Sequence, residues 1–179
     1  MTGHEIREKF LKFFESLNHK IMPSASLNPA TYGDYTTNLT SAGMQPFVPF
    51  FKGEQTPPHA RLVSSQKCCR SDDIEEVGKT WRHCTFFEML GNFSFGDYFK
   101  KESIAWGWEF ITEVLNIPKD ILWVTVHAND DEAADIWKQF VTPDRILRFD
   151  KDNWWGLAVG PCGPCSEINV DRGLDKGCG

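Results

Sequence analysis

The chain has 179 residues, of which 41% are hydrophobic and 25% charged, a balance that excludes a disordered or collagen-like protein and fits one domain or part of a larger one. Nineteen Lys and Arg against 25 Asp and Glu leave a formal net charge of −6, so any nucleic-acid partner has to be met by a local patch. No run approaches the ~18–20 apolar residues that cross a bilayer, and the N-terminus lacks the apolar core of a signal peptide, so the expectation is a cytoplasmic protein with no membrane partner.

From His4 to Asn18, Ile6, Phe10, Phe13, Phe14 and Leu17 fall on one helical face and charged residues largely on the other, which predicts an amphipathic helix. Pro23 to Tyr35 reads as a loop, and Pro46 and Pro49 forbid a long helix after the run Thr40-Ser41-Ala42-Gly43-Met44. Arg61 to Cys69 and Arg82 to Met89 read as two strands around the polar loop Ser71 to Lys79, a connection short enough to require an antiparallel hairpin. Lys101 to Leu115 is predicted helical, Ile121 to Val126 a strand, Asp130 to Phe140 a helix with Asp130 at its N-cap, and Ile146 to Phe149 a short strand. Beyond Asp150 the chain is loop-rich up to a strand-like Ser166 to Val170. The mixture predicts an α+β fold with a mainly antiparallel sheet.

Cys68, Cys69, Cys84, Cys162, Cys165 and Cys178 read as buried thiols or metal ligands in a chain without a secretion signal. Cys162 and Cys165 have zinc-knuckle spacing and Cys178 follows, but a structural zinc site wants four ligands, so zinc is not the favoured reading. His4, His19, His59 and His127 lie apart with no ligand spacing and read as surface or loop groups. Trp106, Trp108, Trp123 and Trp137 fall on core positions.

The segment Arg82 to Phe99 packs Arg, His, Glu and Asp among aromatic rings. On a strand Arg82, Cys84, Phe86 and Glu88 share one face, and His83, Thr85, Phe87 and Met89 the other. A guanidinium for phosphate, an imidazole and a ring for a base are what a nucleotide site needs. A core strand with Arg82 and Glu88 in a structural salt bridge accounts for the same residues, and the spacing leaves both readings open.

Four motifs in order, Thr40 to Met44, Ser65-Gln66-Lys67-Cys68-Cys69-Arg70, Arg82 to Phe99 and Gly160-Pro161-Cys162-Gly163-Pro164-Cys165-Ser166-Glu167, resemble the N-terminal catalytic region of the alanyl-tRNA synthetase family. The resemblance implies a class II aminoacyl-tRNA synthetase fold, an antiparallel sheet flanked by helices. It also implies ATP-dependent activation of alanine to alanyl-adenylate and transfer to the 3′ end of tRNA(Ala), with ATP, alanine, that tRNA and Mg²⁺ as partners.

Arg70 matches the family arginine that meets the α-phosphate and the amino-acid carboxylate. Arg82 and His83 look like the positions near the distal phosphates, and Phe87 matches the adenine ring partner, with Phe86 the neighbour in the alternative register. By the same resemblance Glu88 and Met89 line the adenine edge and pocket floor, Trp155 walls the amino-acid pocket, and Glu167 holds Mg²⁺ against the phosphates. Without the resemblance Trp155 reads as a core indole.

The chain departs from the family pattern after Arg70, where a Gly-Gly-Lys-His insertion is missing. It also stops before the third class II motif and before any tRNA-recognition or editing domain. Residues 1–179 therefore read as a partial catalytic domain, with a non-catalytic scaffold of the same fold as the alternative. Oligomeric state is not readable from the chain.

Overall fold

A computed structural model of the chain describes residues 1–71, 74–80, 83–157 and 160–173. They fall into two compact units, Met1–Asp97 and Tyr98–Gly179.

In the first unit α1 (Gly3–Ser16) starts at a capping box, with the Thr2 hydroxyl accepting from Glu5 N–H while the Glu5 carboxylate accepts from Thr2 N–H. It ends where Asn18 takes a left-handed φ of 66°, a conformation Asn tolerates at helix C-termini. Of the predicted apolar face, Phe10 and Phe14 are buried, and the helix packs on the hairpin of β2 (Arg61–Cys69) and β3 (Phe86–Ser94).

β2 has the predicted bounds, and it pairs antiparallel with β3 from Arg61 opposite Ser94 to Cys69 opposite Phe86. The expected second strand is shifted: His83, Cys84 and Thr85 precede β3, which runs on to Ser94. Gly91 permits this continuation, because a Cβ there would stand 2.5 Å from the Phe93 ring. β1 (Lys20–Met22), which carries no alternating signal of its own, adds to β2 in parallel. Gln66, 1% exposed, ties the predicted 23–35 loop to β2: its Oε1 accepts from Ala25 N–H at 2.8 Å and its Nε2 donates to Ala25 carbonyl at 3.1 Å. Within that loop Pro29–Tyr32 forms a 3-10 turn, and past it Val48–Phe51 forms a four-residue helix, α2.

In the second unit α3 (Lys100–Glu109) continues into a π-helical turn, Phe110–Val114. β4 (Leu122–His127), α4 (Asp131–Trp137) and β5 (Ile146–Phe149) form a β-α-β crossover, so β4 and β5 are parallel. β8 (Ser166–Val170) covers the other edge of β4 in antiparallel sense. β6 (Trp154–Gly156) and β7 (Cys162–Pro164) make a separate ribbon. Asp130 caps α4 as expected, accepting from Ala133 N–H at 3.1 Å. The core of this unit gathers Ile104, Trp108, Leu122, Val124, Val126, Ala133, Ala134 and Trp137.

The fold is α+β as expected. Pairing is mainly antiparallel, as expected, and each three-stranded sheet also contains one parallel pair joined by a long connection. No helix among the described residues is long and apolar enough to cross a membrane.

Candidate active site

Just past the end of β2, Arg70 N–H donates to the Thr85 carbonyl at 2.8 Å, one step beyond the last pair of the hairpin. Its Nε donates to the Ser41 carbonyl at 2.8 Å, and its guanidinium carbon stands 5.4 Å from the centre of the Phe87 ring, within cation–π reach. The arginines that form ion pairs are Arg7, Arg61 and Arg148; among the described residues Arg70 forms none. Its charge is held in place by a carbonyl and a ring and meets no carboxylate among the described residues, an arrangement able to take an anion.

The Thr40 to Met44 run lies against the same hairpin. The Thr40 carbonyl accepts from Cys69 N–H at 2.9 Å, and Gly43 N–H meets the Met89 sulfur at 3.1 Å. Gly43 is buried, and a Cβ on it would sit 3.4 Å from Met89 Cγ and Sδ, so glycine lets the loop seat on the methionine. Three of the four sequence motifs thus meet at one end of one hairpin. Burial pushes the Cys68 thiol up despite Arg70, which keeps it protonated under the site.

Alternation along β3 places Phe87 and Met89, both half-buried, on one face and the exposed Phe86 and Glu88 on the other, so the ring beside Arg70 is Phe87. Glu88 has a partner that sequence reading did not foresee. Arg7 on α1 grips both of its oxygens, Nε at 3.0 and 3.2 Å and Nη2 at 2.5 Å, so its carboxylate is directed to the helix. The arginine in its structural salt bridge is Arg7; Arg82, the partner expected from local spacing, lies outside the described residues. His83 lies ahead of β3, with its Nδ1 2.6 Å from Thr80 Oγ1.

The second unit carries the other two predicted residues. Trp155 on β6 is 42% exposed and lies opposite Gly163, so it is not a core indole. The ribbon is tight at Gly156, where a Cβ would stand 2.7 Å from Cys162 Cβ. Glu167 on β8 lies opposite Thr125 and is exposed, with no ion pair among the described residues. Asn153, 1% exposed, holds the start of the ribbon to β4 and to Cys165 just before β8: its Nδ2 donates to Thr125 Oγ1 at 2.9 Å and to the Cys165 carbonyl at 3.1 Å, and its main-chain carbonyl accepts from Cys165 N–H at 2.8 Å.

Burial, and then the charge of Glu167, push the Cys165 thiol up, away from the thiolate a metal would require. Cys162 is exposed on β7 and Cys178 lies outside the described residues. Among the described residues no group of three or more His, Cys, Asp or Glu is placed to hold a metal ion. Of the histidines read as surface or loop groups, His19 is 3% exposed, with its Nδ1 2.9 Å from the Phe14 carbonyl, and His127 lies with its Nε2 3.2 Å from Asp150 Oδ1.

Ser41, Gln45 and Asn153 were not singled out from the sequence. Ser41 lies inside a motif, but its contribution is a main-chain carbonyl, and Gln45 and Asn153 are ordinary amides whose burial only the fold reveals.

Residues 5–178 match the family described as tRNA synthetases class II (A). The chain belongs to this family. Across its full length this class II synthetase chain is 60% identical to an alanine–tRNA ligase of Carboxydothermus hydrogenoformans, covering 21% of that protein. It is 57% identical to one of Desulforamulus reducens and 58% identical to one of Caldicellulosiruptor saccharolyticus, covering all of this chain and 20% of each of those proteins. The class II chain therefore spans about a fifth of the length of these curated relatives.

Proposed function

We propose that the chain forms the adenylate-making part of an alanine–tRNA ligase, acting in the cytoplasm on ATP, alanine and tRNA(Ala). The observation that carries this reading is the Arg70 guanidinium, uncancelled by any carboxylate among the described residues, held by the Ser41 carbonyl and standing 5.4 Å from the Phe87 ring. A single nucleotide is large enough to meet both, with phosphate on the cation and base at the ring.

In the reaction an alanine carboxylate oxygen attacks the α-phosphorus of ATP. The new P–O bond forms as the bond to pyrophosphate breaks, and pyrophosphate leaves with the electron pair. Negative charge builds on the oxygens around phosphorus, and a guanidinium already fixed in place stabilises it without reorganising. The terminal tRNA hydroxyl then attacks the alanyl carbonyl, and AMP leaves. On this reading His83 and Arg82 attend the distal phosphates, Met89 floors the adenine side, and Trp155 walls the alanine. The exposed oxygens of Glu167 are the kind of ligand Mg²⁺ takes, and the ion would neutralise phosphate charge. The Glu88 side chain serves the reading through Arg7, by holding the strand that carries Phe87 and Met89.

Calorimetric titration with a non-hydrolysable alanyl-adenylate analogue tests this. Saturable binding that Arg70→Ala abolishes is expected; a folded chain that binds no analogue would overturn the reading.

A further inference from the structure

Among the described residues the Arg70 side chain makes one hydrogen bond, to the Ser41 carbonyl, beside its contact with the Phe87 ring, so whatever orients the Ser41 backbone helps to aim the guanidinium. Ser41 N–H donates to Gln45 Oε1 at 2.8 Å, and the same turn is closed by Gln45 N–H on the Ala42 carbonyl at 3.2 Å. Gln45 is 8% exposed, and its side-chain amide is fully used: Nε2 donates to Asp34 Oδ2 at 2.7 Å and to Thr37 Oγ1 at 2.8 Å.

These partners fix which way round the amide lies. A carboxylate only accepts, and the Thr37 hydroxyl spends its own proton on the Leu39 carbonyl at 3.0 Å, so both must face the NH₂ group. The amide oxygen is thereby left for Ser41. Asp34 is itself anchored, its Oδ1 accepting from Thr36 N–H at 2.8 Å and Thr36 Oγ1 at 2.6 Å.

We propose that Gln45 is a positioning residue for Arg70: the relay Asp34–Gln45–Ser41 holds the carbonyl that aims the guanidinium. Its mechanical content stands on the hydrogen bonds alone, while its meaning for catalysis rests on the proposed function. A glutamine that merely filled the core would support the stability of the loop but leave the Arg70 side chain as it is.

The Arg70 Nε–H gives a ligand-free readout, as a side-chain NMR resonance assigned by its disappearance in Arg70→Lys. In the unaltered chain it is expected to be sharp and slow to exchange with water. In Gln45→Met, similar in size but unable to hold Ser41, the resonance should broaden and exchange faster. Binding of the alanyl-adenylate analogue should weaken about tenfold, on the order of one hydrogen bond. Adding Gln45→Met to Arg70→Lys should cost no further affinity. A folded Gln45→Met chain with an unchanged Arg70 resonance, or with losses that add to those of Arg70→Lys, overturns the proposal.

Should Gln45→Met fail to fold, Gln45→Glu decides instead. It sets a second carboxylate against Asp34 and should disturb the resonance, and adding Asp34→Asn, which returns a donor, should restore it. An undisturbed resonance in the first or no restoration in the second overturns the proposal. If the unaltered chain binds no analogue, the function reading fails while the resonance still tests the relay.

Discussion

Phe87 and Glu88 are adjacent, and strand alternation gives them opposite tasks: the ring lies beside Arg70 and the carboxylate is taken by Arg7. Phe87→Leu keeps an apolar side chain of similar bulk in the half-buried position but removes the π face. It should weaken ATP binding by ~1–3 kcal/mol, the range for one base on one ring. Phe86→Leu, on the exposed face, should leave ATP binding unchanged, and equal effects of the two variants in the same titration would show that the ring beside Arg70 does not meet the base. Asp34 adds an acid limit at this scale. Burial raises its pKa, but the bonds from Thr36 and Gln45 outweigh that and hold it below the ordinary carboxylate value. Its stabilising contribution is therefore complete above ~4 and lost as pH falls through its lower folded value.

At the scale of elements, the sequence pattern located most helices and strands and misplaced the ends of several. Strong periodic signals gave the bounds of β2, β5 and β8, since alternation or a β-branched run stops at recognisable turn residues. β3 starts later than its strand-like composition suggests: Cys69 opposite Phe86 is the last pair, and Thr85 adds only its carbonyl, to Arg70 N–H. β1 and β6 are three residues each, too short for a period to register, and exist because a neighbouring strand offers a free edge. Asp130 shows a local signal that tertiary structure extends: it caps α4 and also receives Lys100 Nζ at 2.7 Å from α3. Asp130→Ala removes both contacts and should lower unfolding free energy by ~1–2 kcal/mol, the upper part of the range for lost caps. Asp130→Asn, which keeps an acceptor, should lose less. Urea denaturation of the two variants measures the difference, and equal midpoints for Asp130→Ala and the unaltered chain would refute the dual role.

For the whole molecule, a titratable group, His19, is buried in the first unit. Burial holds His19 below its ordinary value, and the bonds to the Phe14 carbonyl only partly oppose this. Because the folded pKa is depressed, protonation favours the unfolded chain. Stability is then full above ~6.5 and falls as pH drops from there toward the folded value. The urea midpoint should be lower at pH 5.5 than at pH 7.5, and His19→Gln should reduce that difference. An identical pH dependence in the variant would remove His19 as its source.

The sequence by itself determined the family, the hairpin and the identity of the arginine at its end, because these rest on residue order and on local periodicity. It also determined that Phe87 and Glu88 part to opposite faces, once a strand was assumed. Only the tertiary structure decided that Arg7, 81 residues away, holds Glu88, that His19 is buried, and that the Gln45 amide holds Ser41. A buried amide or a main-chain carbonyl has no signature in composition or spacing; its role exists only where packing removes water and leaves one partner within reach.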